Sequence, residues 1–509
     1  MTRFWLPIAT ASAVVLSIGL LVSRAQNVNV EVNLRAPSIG HLSLVSGSSP
    51  YPSGCEGQQT GTDYLNAAVE PSVAVDPTNR RHLIGVWQQN RWSNGAADGL
   101  LTAVSTDEGV TWTNTFAPFS QCTGGTFARA SDPWVTISPD GTAYQIAVVS
   151  DASVVPQGIL VSRSSDGGFS WSFPVTVVQE NMGDDKETIT ADPNDANYVY
   201  AVWDRTNLAD AVPAIFSKTS DGGAAWSPPQ TMYYAAGGSA GSNQIIVLPD
   251  GTLVDVFTLY PGTGSTSFIA VLRSSNHGDT WSGPTIVSAD DSIGVVDATT
   301  QAGVRTGDGI PSSAVDPGSG AIYITWEDAR FSGGQREGAA LSKSVDGGLT
   351  WSTPVQVNQI PAVQAFNPTV AVDARGAIAI TYYDFRQATG DASMLLTNYW
   401  QIVSSDGGET WRETPVAGPF DMLRAALSVR AYFLGDYQAL VASENNFIPF
   451  FVATNSAPSF IPSSVFALPT ARRGSTAWNG HAEINHHPRP SSVRLGSKAN
   501  RKQSMSLIK

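Results

Sequence analysis

One octapeptide recurs six times along the chain with the same internal spacing, and it constrains the fold more than any other feature. The copies are STDEGVTW (105–112), SSDGGFSW (164–171), TSDGGAAW (219–226), SSNHGDTW (274–281), SVDGGLTW (344–351) and SSDGGETW (404–411). Successive tryptophans lie 59, 55, 55, 70 and 60 residues apart, an interval that suits one unit of four short strands per repeat. Within the box, the third-position Asp can accept from turn amides, the fifth-position Gly permits positive φ, Ser/Thr caps the turn, and Trp is expected to be buried between neighbouring sheets. In the fourth copy Asn276 stands for Asp and keeps an acceptor. The box is read as structural, because one reactive site does not need six copies.

Upstream of each box lies a strand, a tight turn and a second strand: 71–88, 132–149, 187–204, 243–260, 310–327 and 367–384, with a seventh pair at 435–454 that no box follows. β-branched and aromatic residues flanking Asp-Pro, Pro-Asp-Gly or Asp-Pro-Gly are hairpin signals. The expected fold is all-β: a β-propeller of four-stranded antiparallel blades, closed radially so that few strand edges are exposed. Seven hairpins favour seven blades, and counting boxes alone gives six as the alternative. In the last blade, 463–469 supplies the third strand and the alternating segment NVNVEVNL (27–34) is expected to close the ring.

Composition agrees, with 42% hydrophobic and only 14% charged residues, 47 Gly and 31 Pro, as turns and short strands require. Residues 471–509 hold eight Lys/Arg and one Glu, and residues 1–25 two Arg, so residues 26–470 carry 19 basic and 42 acidic groups, a net of −23. Such a body repels nucleic acid. Residues 1–25 have one early Arg3, an apolar stretch from Phe4 to Val22 and Ser23-Arg24-Ala25, the form of a secretory signal cleaved after Ala25, with an uncleaved membrane anchor as the alternative. The expected organisation is signal 1–25, extension 26–65, propeller 66–470 and disordered basic tail 471–509, secreted or periplasmic and monomeric. Two cysteines, Cys55 and Cys122, are too few for a cysteine zinc site and can form one disulfide in an oxidising compartment. No loop has a calcium-binding spacing, so no metal and no cofactor are expected.

The motif Ser-x-Asp-x-Gly-x-Thr-Trp resembles the Asp-box, or BNR repeat, of the sialidase superfamily, and the likeness covers roughly residues 66–470. The phrases Glu70-Pro71-Ser72 and Gly435-Asp436-Tyr437-Gln438 resemble those of bacterial exported sialidase-like proteins. The resemblance implies a ligand funnel on the rim that collects the loops into strand one and out of strand two of each blade. Those loops carry Glu70, Asp132, Asp184-Asp185-Lys186-Glu187, Asp308, Asn367 and Asp436-Tyr437, and Arg91, Asp204-Arg205, Glu327 to Arg330 and Asp384-Phe385-Arg386. A sialidase clamps its sugar's carboxylate with arginines and uses a Tyr nucleophile assisted by Glu, with an Asp as acid/base. By chain order the resemblance assigns Asp132 as acid/base, Tyr437 as nucleophile with Glu187 as its partner, and Arg91, Arg330 and Arg386 as the clamp. It departs from the family in lacking any Arg-Ile-Pro. The expected function is a retaining glycosidase acting on a glycan with an anionic sugar, or a non-catalytic propeller that binds a glycan or a protein. A competing account makes the strand-end Asp and Arg residues repeat features that pair with a neighbouring blade.

Overall fold

The computed structural model describes residues 41–469 apart from 181, 207–210, 263–265, 430 and 457–458. The signal segment, the strand expected at 27–34 and the basic tail lie outside the described residues. The fold is all-β, a propeller of four-stranded antiparallel blades. The first blade runs Asp63–Val75, Leu83–Trp92, Ala97–Ser105 and Thr113–Thr115, and each later blade repeats this order. The innermost strands are Asp63–Val75, Arg129–Ile137, Asp184–Ala191, Ser239–Val247, Ser312–Val315, Ala365–Val372 and Ala439–Ser443. Each touches the next, and the last returns to the first, so the contacts form a cycle. The last sheet is completed across the chain ends: Ser43–Leu44 pairs with Ser463–Ala467, outside Asn446–Thr454 and Ala439–Ser443.

The boxes take the turn geometry their chemistry dictates. In the second, Ser164 Oγ donates to Asp166 at 2.8 Å and accepts from Gly168 N at 2.8 Å, while Asp166 accepts from Ser170 N at 2.9 Å. Asn276 fills the same place in the fourth, accepting from Ser274 Oγ and Thr280 N. The box tryptophans pack on the preceding blade: Trp281 meets Phe216 edge-on at 5.5 Å, and Trp112 lies 5.4 Å from Phe450. Apolar clusters fill the space between adjacent blades, as with Val202 and Phe216 against Ile245 and Phe257. Cys55 and Cys122 are disulfide-bonded, tying the extension to the first blade's outer loop.

One element lies outside the repeat. Val295–Val296 and Gly303–Arg305, from the long interval between the fourth and fifth boxes, join Ala426–Ser428 and Ala431–Phe433 in a small sheet. Its central pairing is parallel, Val304 opposite Tyr432 and Arg305 opposite Phe433.

Candidate functional site

Five of the innermost strands are bulged near their start, and each bulge holds one non-glycine residue at positive φ: Glu70 (53°), Asp132 (51°), Lys186 (55°), Ser242 (60°) and Asn367 (48°). A bulge re-aims side chains and is the usual device for turning polar groups toward a site. Here it turns them toward the propeller axis, where Asp132, Lys186, Glu187, Ser242, Asn243 and Tyr437 line one cavity. The last strand reaches the same place through Gly435-Asp436-Tyr437-Gln438. Gly435 has φ 135°, and a Cβ there would come within 2.8 Å of Glu70 N.

Lys186 is the hub. Its Nζ lies 2.6 Å from Asp436 Oδ2, 3.2 Å from Asp132 Oδ2 and 3.8 Å from Glu70 Oε1. Asp436 also accepts from Arg305 Nε at 2.8 Å and from Arg305 Nη2. Arg305 and Arg91 stand over Phe433, 4.7 and 4.8 Å from its centroid, and both donate to Ser428 Oγ. Arg91 also donates to Gln88 Oε1 at 2.5 Å, and Gln88 Nε2 donates to Glu70. The small extra sheet thus supplies Arg305, Phe433 and Ser428.

This layer of charge divides the carboxyls. Burial pushes Asp132 up, but the Lys186 ammonium and the Ser131 hydroxyl outweigh it and hold the carboxyl below its ordinary value. Asp436 is buried too, yet Lys186 and Arg305 hold it well below. Glu70 is pushed up to about 8 by burial and by Asp132, against the pull of Lys186. Asp185 is pushed up to about 6 by the same two causes. Glu187 stands well above its ordinary value, from burial first and Asp132 second; one oxygen accepts from Val148 N and Oε2 has no hydrogen-bond partner. The Tyr437 hydroxyl is pushed up by burial and the surrounding carboxyls and donates to Pro133 O at 3.2 Å, with its ring 5.3 Å from Trp134.

Of the residues singled out in the sequence, Asp132, Glu187 and Tyr437 line the cavity, and Arg91 joins the ionic layer beside it. Arg330 and Arg386 do not line it. Arg330 is held by Asp328 of its own strand end, at 2.8 Å, and by Ala289 O of the preceding blade. Arg386 is held by Asp384 at 2.5 Å and Glu413 at 2.8 Å, over the Trp400 ring. The three-arginine clamp is therefore not assembled; Arg330 and Arg386 form their closest ion pairs with the Asp of their own strand end rather than with a neighbouring blade, Arg205 pairs with Asp184 of its own blade, and Asp204 accepts from Ser242 N and Asn243 Nδ2 of the next blade. Tyr437 and Glu187 share the cavity without a hydrogen bond between them, and the phenol is held protonated rather than activated.

Sequence reasoning placed Glu70, Lys186 and Asp436 on the rim but gave them no role, and it missed Arg305 and Asn243. The signal for Arg305 is the 70-residue interval between the fourth and fifth boxes, which has room for the extra strands. The signal for Asn243 is the alignment of the bulges. The position after the bulge residue is Pro71, Pro133 or Pro368 in three of the five bulged strands and Glu187 or Asn243 in the other two, while the unbulged fifth and seventh blades have Pro311 and Tyr437 at the aligned place. The repeat accounts for the prolines and leaves those three polar residues unexplained.

The family model of the BNR repeat-like domain matches residues 200–441. A search of the curated proteins finds no match. Among solved structures the chain is similar to the Hadza microbial sialidase Hz136, at 16% identity over 79% of this chain and 66% of that one, with a TM-score of 0.40. It is similar to an α-L-arabinofuranosidase from Fusarium graminearum solved with an iminosugar inhibitor, at 14% identity over 70% and 96%, TM-score 0.43. A Trypanosoma rangeli sialidase solved with the inhibitor DANA shares 12% identity over 69% and 57%, TM-score 0.42. The stretch matched by the BNR repeat-like family model, residues 200–441, includes four of the six boxes.

Proposed function

We propose that the protein is an exported propeller that acts on glycans at the axial cavity, with hydrolysis of a glycosidic bond as its concrete form. One observation carries the reading: Asp132 and Glu187 line the same cavity with their ionisations pushed in opposite directions. A carboxylate kept charged beside a carboxylic acid kept neutral is the division of labour that glycoside cleavage uses. In this arrangement Glu187 is the proton donor and Asp132 the charged partner, which exchanges the roles the family likeness implied. Tyr437, whose hydroxyl donates to Pro133 O, serves as wall and positioning group.

The test is turnover of a panel of fluorogenic glycosides, a sialoside included, by purified residues 26–470. Glu187→Gln and Asp132→Asn are each expected to lower turnover by at least about 100-fold, the usual worth of a general acid–base group, in protein that still melts cooperatively. Cleavage that survives both substitutions would sink the assignment. A second reading, a binder without chemistry, is favoured by the commitment of Lys186 and the Tyr437 hydroxyl to partners inside the protein. Export is tested by the N-terminus of the secreted product, expected at Gln26.

A further inference from the structure

We infer that the sugar held in the axial cavity is neutral and hydroxyl-rich rather than anionic, an inference that rests on the reading of the cavity as a glycan site. Among the described residues lining it, Lys186 is the sole cation, and its ammonium is already committed to Asp436, Asp132 and Glu70. Arg305 and Arg91 lie off the lining and spend donors on Asp436, Gln88 and Ser428. Arg330 and Arg386 are held at the strand ends. A ligand carboxylate entering here would have to displace a buried carboxylate from Lys186 and then sit beside it, losing its hydration for no new cation.

What the cavity's unpaired atoms lack is a group that can both donate and accept a hydrogen bond. Glu187 Oε2 and Asn243 Oδ1 line it, have no hydrogen-bond partner, and belong to residues 2% and 0% exposed. They occupy the same position after the bulge on adjacent blades, where the three other bulged strands have proline, so the chain places two polar groups where the fold needs none. A sugar hydroxyl answers both. It donates to Asn243 Oδ1 and accepts from the Glu187 carboxylic acid, whose proton burial retains. Trp134, packed on Tyr437, offers an apolar wall to the C–H face of the ring. A metal ion is the other partner that unpaired oxygens accept, but the Lys186 ammonium beside Asp132 repels one.

The experiment is calorimetric titration of residues 26–470, with Trp fluorescence in parallel, using neutral arabino-, xylo- and gluco-oligosaccharides, then 3′-sialyllactose and digalacturonate, then calcium chloride alone. At least one neutral sugar is expected to bind at least tenfold more tightly than either anionic one, and Asn243→Leu is expected to weaken it at least tenfold. Anionic glycans that bind as well as or better than neutral ones overturn the inference and leave the glycan site standing. No binding by any sugar to folded protein overturns both. Calcium binding without sugar binding overturns both in favour of a cation site. The wild-type arm of the titration decides even if Asn243→Leu does not fold.

Discussion

Two residues sit against the grain of their surroundings. Asp255 lies in the second strand of the fourth blade, fully buried, with neither carboxylate oxygen hydrogen-bonded, and burial followed by repulsion from Asp204 holds it neutral well above its usual range. Its strand neighbours on the same face, Leu253 and Phe257, belong to the apolar cluster between the third and fourth blades. An unsatisfied buried polar group costs about 1–3 kcal/mol, so Asp255→Val is expected to raise the melting temperature; a fall would show that the carboxyl has a partner. Val429, at the tip of the hairpin that carries Ser428, is 72% exposed and has φ 51°. A β-branched side chain in the left-handed region is strained by about 1–2 kcal/mol. Val429→Gly is expected to relieve most of that and raise the melting temperature, an outcome that reverses if the valine is needed to set Ser428 beneath the two guanidiniums.

The box is an autonomous element. Its first residue both donates to the Asp and accepts from the buried Gly amide, as Ser344 does with Asp346 at 2.8 Å and Gly348 N at 2.9 Å. Ser344→Ala leaves that amide unpaired and is expected to cost about 1–2 kcal/mol. Because Ser164 makes the same bonds in a distant blade, the double variant should cost the sum of the two within about 0.5 kcal/mol, read by denaturant unfolding; strong coupling would mean that the boxes hold the ring jointly. This autonomy explains what was legible. Boxes and hairpins are local, so periodicity and turn chemistry disclosed their strands, and the rim was located from the same register. The strand-end arginines misled because Asp328 and Asp384, two residues before Arg330 and Arg386, capture them locally, and a rim position does not say where a guanidinium points. Arg305 was hidden because the extra sheet joins segments more than a hundred residues apart, through two parallel pairs that leave no periodic trace. The bulge alignment was legible in principle: Lys186-Glu187, Ser242-Asn243 and Asp436-Tyr437 break the proline pattern.

At the scale of the whole ring, the blades bury many carboxyls, and the balance of their ionisation sets how stability depends on pH. Several are held above their ordinary range, each with burial as the leading cause: Asp185 to about 6, Asp204 to about 7, Glu337 to about 7 and Glu70 to about 8. In an unfolded chain such groups titrate near 4. A raised acid favours the folded state fully below its unfolded value, and that contribution is lost as pH rises through the folded value. Asp132, Asp436 and the box aspartates are held low and act oppositely, favouring the fold above about 4 and releasing it as acid protonates them. The two sets together place maximal stability on the acid side of neutrality. The melting temperature is therefore expected to be several degrees higher at pH 5 than at pH 8.5, and to fall again below about pH 3. Glu337 isolates one contribution. Its Oε1 accepts from Ile293 N and Gly294 N while Oε2 has no partner, so Glu337→Gln keeps both bonds and removes only the titration. That variant should hold its melting temperature more nearly constant from pH 6 to 8 than the parent does. A parent whose melting temperature instead climbs from pH 5 to 8.5 would mean that the buried carboxyls are ionised and compensated in the fold, and with them the neutral Glu187 on which the proposed chemistry depends.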